Sequence, residues 1–461
     1  MAVPLFLLSG CMVGPDFKKP QPRMPQAWLP PTSQPTTSQS IATNEPPQIA
    51  AWWTNFNDPQ MSSLITQAIE ANLNLKQAEV RIREARASRG VTASNLWPSA
   101  NASGNYTRVG AASASRDLYQ AGLDAAWELD IFGGTRRAIE SADAAVQAAV
   151  EDMHDVQVTL TAEVAIDYLN LRGFQRQIVI AQENLDSERR SADLTRKVFH
   201  AGFTGGLDVA NAEAEVATTA AIIPSLESQE RQAIYALSVL LARPPAALVN
   251  ELSDVQPIPT TPPIVPVGLP SDLLRRRPDI RRAEANLHAA NAQIGVAVAQ
   301  LFPQFSLTGT FGYESGQLKN LTNWSNSAWT IGPAVNWPIF TAGKIESNID
   351  LQKAITQEDL YAYTQTVLTA LQDVENALIA YEKEQEHRRL LIDAVAANRR
   401  AFDLSTQLYT QGQTDFLNVL TTERALFATQ DALVQSDSAI ATDLVSLYKA
   451  LGGGWEEPAK Q

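Results

Sequence analysis

Over residues 344–411 the chain carries neither glycine nor proline, and over 135–201 a single glycine, Gly173, interrupts strong helix formers. Glycine and proline are the residues that most readily end a helix, so each stretch predicts one continuous α-helix. At the helical rise each is about 100 Å long. That exceeds the helices of ordinary globular domains, and a helix of this length needs partners along its course. The apolar spacing supplies them. Val367, Leu371, Val374, Leu378 and Tyr381 recur at alternating four- and three-residue steps, and Met153, Val156, Leu160, Val164, Asp167 and Leu171 do the same with one polar lapse. This is coiled-coil spacing, with alanines nearby that allow close approach. A soluble antiparallel coiled coil meets the same periodicity, so the choice passes to the rest of the chain.

The two long stretches belong to two copies of one layout. Ala78-Glu79 corresponds to Ala283-Glu284 and Trp97-Pro98 to Phe302-Pro303, both at a shift of 205 residues. Ile131-Phe132 matches Ile339-Phe340 at 208, and Gly202-Phe-Thr-Gly-Gly-Leu207-Asp208-Val209 matches Gly412-Gln-Thr-Asp-Phe-Leu417-Asn418-Val419 at 210. A slowly growing offset in constant order is the mark of a tandem duplication. The first repeat is expected over 61–243, with a helix, two strands about 99–131, the long helix about 135–200, a tight turn and a helix about 208–243. The second is expected over 272–452, with strands about 303–339, the long helix about 343–410, a turn and a helix about 418–451. Residues 11–60, rich in Pro, Gln, Ser and Thr, read as a tether, 244–271 as a Pro-rich linker and 453–461 as a tail.

Between the helices lie strands with one apolar face. Tyr119, Ala121, Leu123, Ala125, Trp127, Leu129 and Ile131 alternate with Gln120, Asp124, Glu128 and Asp130. Phe305, Leu307, Phe311 and Tyr313 alternate with polar residues, as do Trp329, Ile331, Val335, Trp337 and Ile339, and 99–108 form a weaker fourth strand. Runs of about 10–13 residues are long enough to cross a bilayer when tilted. A soluble sheet packed on helices has the same alternation. Two details favour lipid: the helices are committed to one another, and Trp127, Trp329, Trp337, Phe132 and Phe340 lie toward strand ends, where an interfacial aromatic belt would sit. Four strands cannot close a barrel with a lumen, and open edges are not tolerated in hydrocarbon. The chain is therefore expected to contribute a fraction of a barrel shared within an oligomer.

Composition narrows the function. A net charge of −14 over 461 residues argues against nucleic acid, which selects basic surfaces. Beyond the N-terminus no run of 18 apolar residues occurs, so any membrane span must be built of strands. His154, His200, His288 and His387 are scattered without metal-ligand spacing, and no P-loop, GxSxG or HExxH pattern occurs, so neither an enzyme nor a metal or other bound cofactor is expected.

The single cysteine, Cys11, ends Leu8-Ser9-Gly10-Cys11 behind the apolar run 3–8. That order resembles a bacterial lipobox, which implies a signal peptide over 1–10 and diacylglyceryl and N-acyl groups on Cys11. A basic n-region is missing, so the signal is expected to be truncated. Met12, rather than Asp, follows the cysteine, and the lipoprotein sorting rule then implies the outer membrane.

Taken together, the lipobox, Trp52 through Asp58-Pro59, Arg277-Pro278-Asp279-Ile280-Arg281-Arg282-Ala283-Glu284, Ile294-Gly295, Leu301-Phe302-Pro303 and Leu451-Gly452-Gly453 resemble the TolC-type outer-membrane factors of tripartite efflux pumps, in their NodT-like lipoprotein branch. The resemblance covers nearly the whole chain. It implies a mixed α/β membrane protein: a homotrimer with a twelve-stranded β-barrel, four strands from each protomer, and a coiled-coil helical barrel reaching into the periplasm. The Pro-rich linker would be equatorial. Drugs or other small solutes would pass passively from an inner-membrane transporter through a periplasmic adaptor to the exterior. The turns at 202–209 and 412–419, with Gly202, Leu207, Asp208, Val209, Gly412, Leu417, Asn418 and Val419, would be the periplasmic tips. The family's constriction links a Tyr to an Asp, here Tyr409 and Asp208. Its basic reinforcement corresponds to Thr414 and its acidic rings to Asn418 and Thr421, all neutral here. Glu423 and Arg424 are read as solvated helix charges. The competing reading is a lipid-anchored coiled-coil scaffold or adaptor, which would bury the strand aromatics within its own chain.

Overall fold

A computed structural model describes residues 12–29, 41–43, 49–111, 114–262 and 264–455. Cys11 and the signal segment lie outside the described residues. The elements are β1 (Ile41–Thr43), α1 (Pro59–Ala71), α2 (Leu73–Ser94), β2 (Ser99–Ala111), β3 (Ala114–Leu129), α3 (Gly134–His200), α4 (Gly206–Leu240), α5 (Val249–Leu252), β4 (Ile264–Pro266), α6 (Leu273–Arg276), α7 (Pro278–Ala299), β5 (Gln304–Ser315), β6 (Ser327–Asn336), α8 (Lys344–Thr410) and α9 (Phe416–Ala450).

The duplication is visible in the element lengths. Helices α3 and α8 each have 67 residues, α4 and α9 each 35, and α2 and α7 each 22. Each strand pair ends on a tryptophan used in the same way. The indole of Trp127 donates to the Leu96 carbonyl at 2.9 Å, and that of Trp337 donates to the Leu301 carbonyl at 3.1 Å.

The chain forms two compact units. The first comprises 1–22, 79–152 and 279–366, the second 23–78, 153–278 and 367–461, and α3 and α8 contribute to both. The first unit holds an antiparallel sheet in the order β2-β3-β5-β6, which leaves β2 and β6 as open edges. Strand β3 runs 16 residues, longer than the alternation alone indicated. The first unit also contains residues 12–19, laid against α7 and the start of α3.

The second unit has a conventional apolar core. Trp52 stacks on Tyr448 at 5.3 Å and meets Trp53 edge-on at 5.7 Å. Asn55 donates to the Tyr448 hydroxyl at 3.0 Å. The parallel strands β1 and β4 pair here, and Trp28 donates its indole to the Gly268 carbonyl at 3.0 Å. The described parts of the Pro-rich segments are thus built into the fold rather than left as free tether and linker. Residues 453–455 of the expected tail are packed as well: Gly454 donates to the Ile49 carbonyl at 2.9 Å and accepts from Gln157 at 3.0 Å.

Two local differences from the sequence reading have plain causes. The first helix of repeat one is split at Asn72, whose backbone turns extended while its side chain caps α2, accepting from Asn74 at 2.9 Å and Leu75 at 3.1 Å. On α8 the buried stripe is Val367, Ala370, Val374, Ala377 and Tyr381, while Leu371 and Leu378 are half-buried. Alanines, not leucines, face the neighbour because they permit the closer approach.

Candidate functional site: the strand wall and the helical tips

The sheet register aligns the apolar residues of all four strands. Ala102, Leu123, Phe311 and Trp329 form one row, Trp127, Leu307 and Pro333 another, and Leu129, Phe305 and Val335 a third. The alternate rows are polar: Asn105, Gln120 and Glu314, then Asn101, Asp124, Thr310 and Thr330. On that face Gln120 donates to Glu314 at 3.0 Å and Thr310 meets Thr330 at 2.7 Å. The apolar face is open, with Trp329 68% and Ile331 69% exposed. A soluble scaffold would cover such a face, because burying it stabilises by about 25 cal/mol for each Å². A hydrocarbon surround satisfies it instead.

In the second unit the long helices reverse at two equivalent tips. Gly202 and Gly412 take φ of +82° and +71°, and in both turns the following residue donates back to the helix, Phe203 to Val198 at 3.1 Å and Gln413 to Leu408 at 2.9 Å. This is the Schellman closure, which needs the left-handed conformation that glycine adopts freely. Leu207, Leu417 and Phe203 stand exposed at these ends. Val209 is half-buried, while Val419 joins Phe416, Leu420, Tyr409, Ala192 and Ala212 in a buried cluster. Asn418 accepts its place on the exposed side by donating to Thr414 at 2.8 Å, and Thr421 donates to the Leu417 carbonyl at 2.7 Å.

The Tyr409 ring packs against Phe416 at 5.6 Å, and its buried hydroxyl has no hydrogen-bond partner among the described residues. Burial raises its pKa, and the Asp208 charge adds to the rise. Asp208 itself, in the first turn of α4, accepts a hydrogen bond from Thr204. Tyr409 and Asp208 are therefore neighbours, with Thr204 as the direct partner of the carboxylate.

Behind the tips lies a polar node that sequence reading missed. Glu423 is 1% exposed, which overturns its reading as a solvated charge, and Glu188 on α3 is 2% exposed. Glu423 accepts from Ser187 at 3.3 Å and Ser191 at 3.2 Å, and Glu188 accepts from Thr219 on α4 at 2.7 Å. Arg424 is exposed as expected and donates to Glu215 of α4 at 2.7 Å. The missed signal was the repeat itself. A shift of 210 places Asn398 and Thr429 on Glu188 and Thr219, and that neutral pair is also bonded, at 3.2 Å.

Comparison with known proteins gives a consistent result. The family model described as outer membrane efflux protein matches residues 64–243 and 269–453. Nodulation protein T of Rhizobium leguminosarum bv. trifolii is 33% identical over 460 residues, covering 98% of this chain and 97% of that protein. The cation efflux system protein CusC of Escherichia coli O6:H1 is 33% identical, covering 98% and 97%. The solved outer-membrane channel OprN superposes with a TM-score of 0.88 at 35% identity, covering 96% of this chain and all of that one.

Proposed function

The chain belongs to the outer membrane efflux protein family, the outer-membrane channel component of tripartite efflux pumps, and on that premise we propose that three copies close a twelve-stranded barrel in the outer membrane. The observation that carries this is the four-stranded sheet with two open edges and an exposed apolar face. Each edge needs a partner strand in hydrocarbon, and the β6 edge of one copy meets the β2 edge of the next. The polar rows line the lumen and the helices continue the passage into the periplasm.

Conduction is passive. Solutes such as drugs are handed on by an inner-membrane transporter through a periplasmic adaptor that engages the exposed tips around Phe203, Leu207 and Leu417. The aperture is set where Tyr409 packs beside Asp208 and Thr204. Asn418 and Thr421 give the second tip no acidic ring, which weakens any selection of cations there.

Cys11 carries the acyl chains. Residues 12–19 support this reading, because they are docked rather than loose. Lys19 pairs with Glu284 at 2.7 Å, Phe17 stacks on His288 at 4.3 Å, Pro15 accepts from Asn291 at 3.1 Å, and Gly14 lies on Gly295 with no room for a Cβ. Glu284, His288, Asn291 and Gly295 form one stripe of α7 at steps of four and three. The strap brings Val13 to the end of the strand wall, where it donates to the Phe132 carbonyl at 3.1 Å.

Purified protein in planar bilayers tests the channel. Stepwise single-channel currents, with heat-modifiable trimer migration in detergent, are expected. Solubility without detergent after removal of the acyl chains, together with no current, would sink the reading in favour of a lipid-anchored scaffold.

A further inference from the structure

The geometry points to Glu188 and Glu423 as a proton-sensitive latch that ties α3, α4 and α9 together behind the tips and so regulates the aperture. It rests on the reading of the tips as the aperture. The two carboxyls sit on facing helices: Ser187, beside Glu188 on α3, donates to Glu423 of α9, and Glu188 accepts from Thr219 of α4. Glu188 lies about four helical turns before Gly202 and Glu423 about two turns into α9. Neither has a cation as its direct partner, and one oxygen of Glu188, Oε2, is buried without any hydrogen bond among the described residues.

The cations near the pair, Arg424 for Glu188 and Arg190 for Glu423, act through space and favour the charged carboxylates. Glu215 on α4 adds negative charge and takes the Arg424 guanidinium. Burial is the main cause that pushes both carboxyls up to about 7, opposed by the hydroxyl donors and reinforced by Glu215. Two interacting carboxyls titrate as a pair, so these values mark a window rather than separate steps.

The other repeat shows what the neutral state of this link looks like. Asn398 and Thr429 occupy the positions equivalent to Glu188 and Thr219 and join α8 to α9 through a bond between two neutral side chains. When Glu188 and Glu423 hold protons, the Glu188–Thr219 link is as neutral as the Asn398–Thr429 link and the three helices pack. When both lose protons, two like charges are confined in a dry site, which is unfavourable unless the helices separate and admit water. Proton loss therefore loosens the node, and the tips it supports open more readily.

The test compares unaltered trimers with the Glu188→Gln, Glu423→Gln double variant in planar bilayers at about pH 6 and about pH 8, values that bracket the window. The unaltered channel should conduct several-fold more at the higher pH, and the variant should hold the low-pH conductance at both. A pH ratio unchanged in the variant, or no ratio in the unaltered channel, overturns the latch. Amide hydrogen exchange of the unaltered protein, corrected for intrinsic rates, judges it without any variant. Residues 183–200 and 416–427 should be better protected at the lower pH, and equal protection overturns the latch. Absence of current at both pH values, with the exchange difference present, would refute the channel reading and leave the latch standing.

Discussion

Arg137 donates to Asp16 at 2.7 Å across 121 positions of sequence, and the two ends of this pair are unlike: Arg137 is 2% exposed and Asp16 is 86% exposed. The same guanidinium donates to the Val13 carbonyl at 3.0 Å and to Glu140 at 2.7 Å. Arg137 is thus the buried post on which the N-terminal strap is fastened, and Asp16 is one accessible fastening among several.

Replacing the two should therefore differ. Arg137→Ala orphans the Val13 and Gly14 carbonyls of the strap and leaves Glu140 with His288 as its partner, at a cost of about 1–3 kcal/mol for each buried group left unpaired, and the strap should release. Asp16→Ala removes one exposed partner, worth about 0–1 kcal/mol, and the strap should stay. Trypsin cleavage after Lys18 reads the outcome: fast in Arg137→Ala and near the original rate in Asp16→Ala.

The two faces of β6 should tolerate charge differently. Ile331→Lys places an ammonium on the lipid side, at about 2–4 kcal/mol near the bilayer centre, and should reduce folded trimers in membranes. Thr330→Lys points into the lumen and loses only the bond to Thr310, so trimers should persist. Heat-modifiable migration of the two variants decides between them.

At the aperture, Asp208→Ala and Thr204→Ala should each raise single-channel conductance, because either removes the hydrogen bond that ties the first tip beside Tyr409. Unchanged conductance in both would remove these residues from the gate.

Cys11→Ser should abolish acylation, read by mass spectrometry, while detergent-extracted trimers form nearly as before. A barrel closed on twelve strands holds the membrane without help, and acyl chains contribute about 0.8 kcal/mol for each buried methylene on top of it.

Asp443 gives a pH test away from the tips. Burial first, and the Glu384 charge second, push its carboxyl up to about 6. A carboxyl raised in the fold binds its proton more tightly folded than unfolded. Its contribution to stability therefore falls as pH climbs from the ordinary carboxylate range to about 6 and stays low above that. Asp443→Asn should raise the thermal midpoint at about pH 8 and leave it nearly unchanged at about pH 3, below the ordinary carboxylate range, where the carboxyl is mostly protonated folded and unfolded.

Much of the fold was legible before any coordinates. The 67-residue helices, the paired strands and the tip glycines carry local or repeating signals: absence of helix breakers, alternation of period two, and a turn that glycine alone closes easily. The tips at 202–209 and 412–419 fall where the duplication put them. Glu423 was misread because helical spacing does not distinguish an exposed position from one covered by a neighbouring helix, and Ser187 and Ser191 lie 236 and 232 positions away.

The sequence by itself determined the elements, their duplication and the need for partner strands, because each follows from the conformational preference of short segments repeated twice. Only the tertiary structure decided that residues 12–19 are strapped along one stripe of α7, that alanines rather than leucines line the buried side of α8, and that two glutamates share a dry node. Those outcomes depend on which surfaces meet across hundreds of positions. Burial, which sets the worth of a charge and the charge state of a carboxyl, belongs to the packed assembly of helices and not to any segment of it.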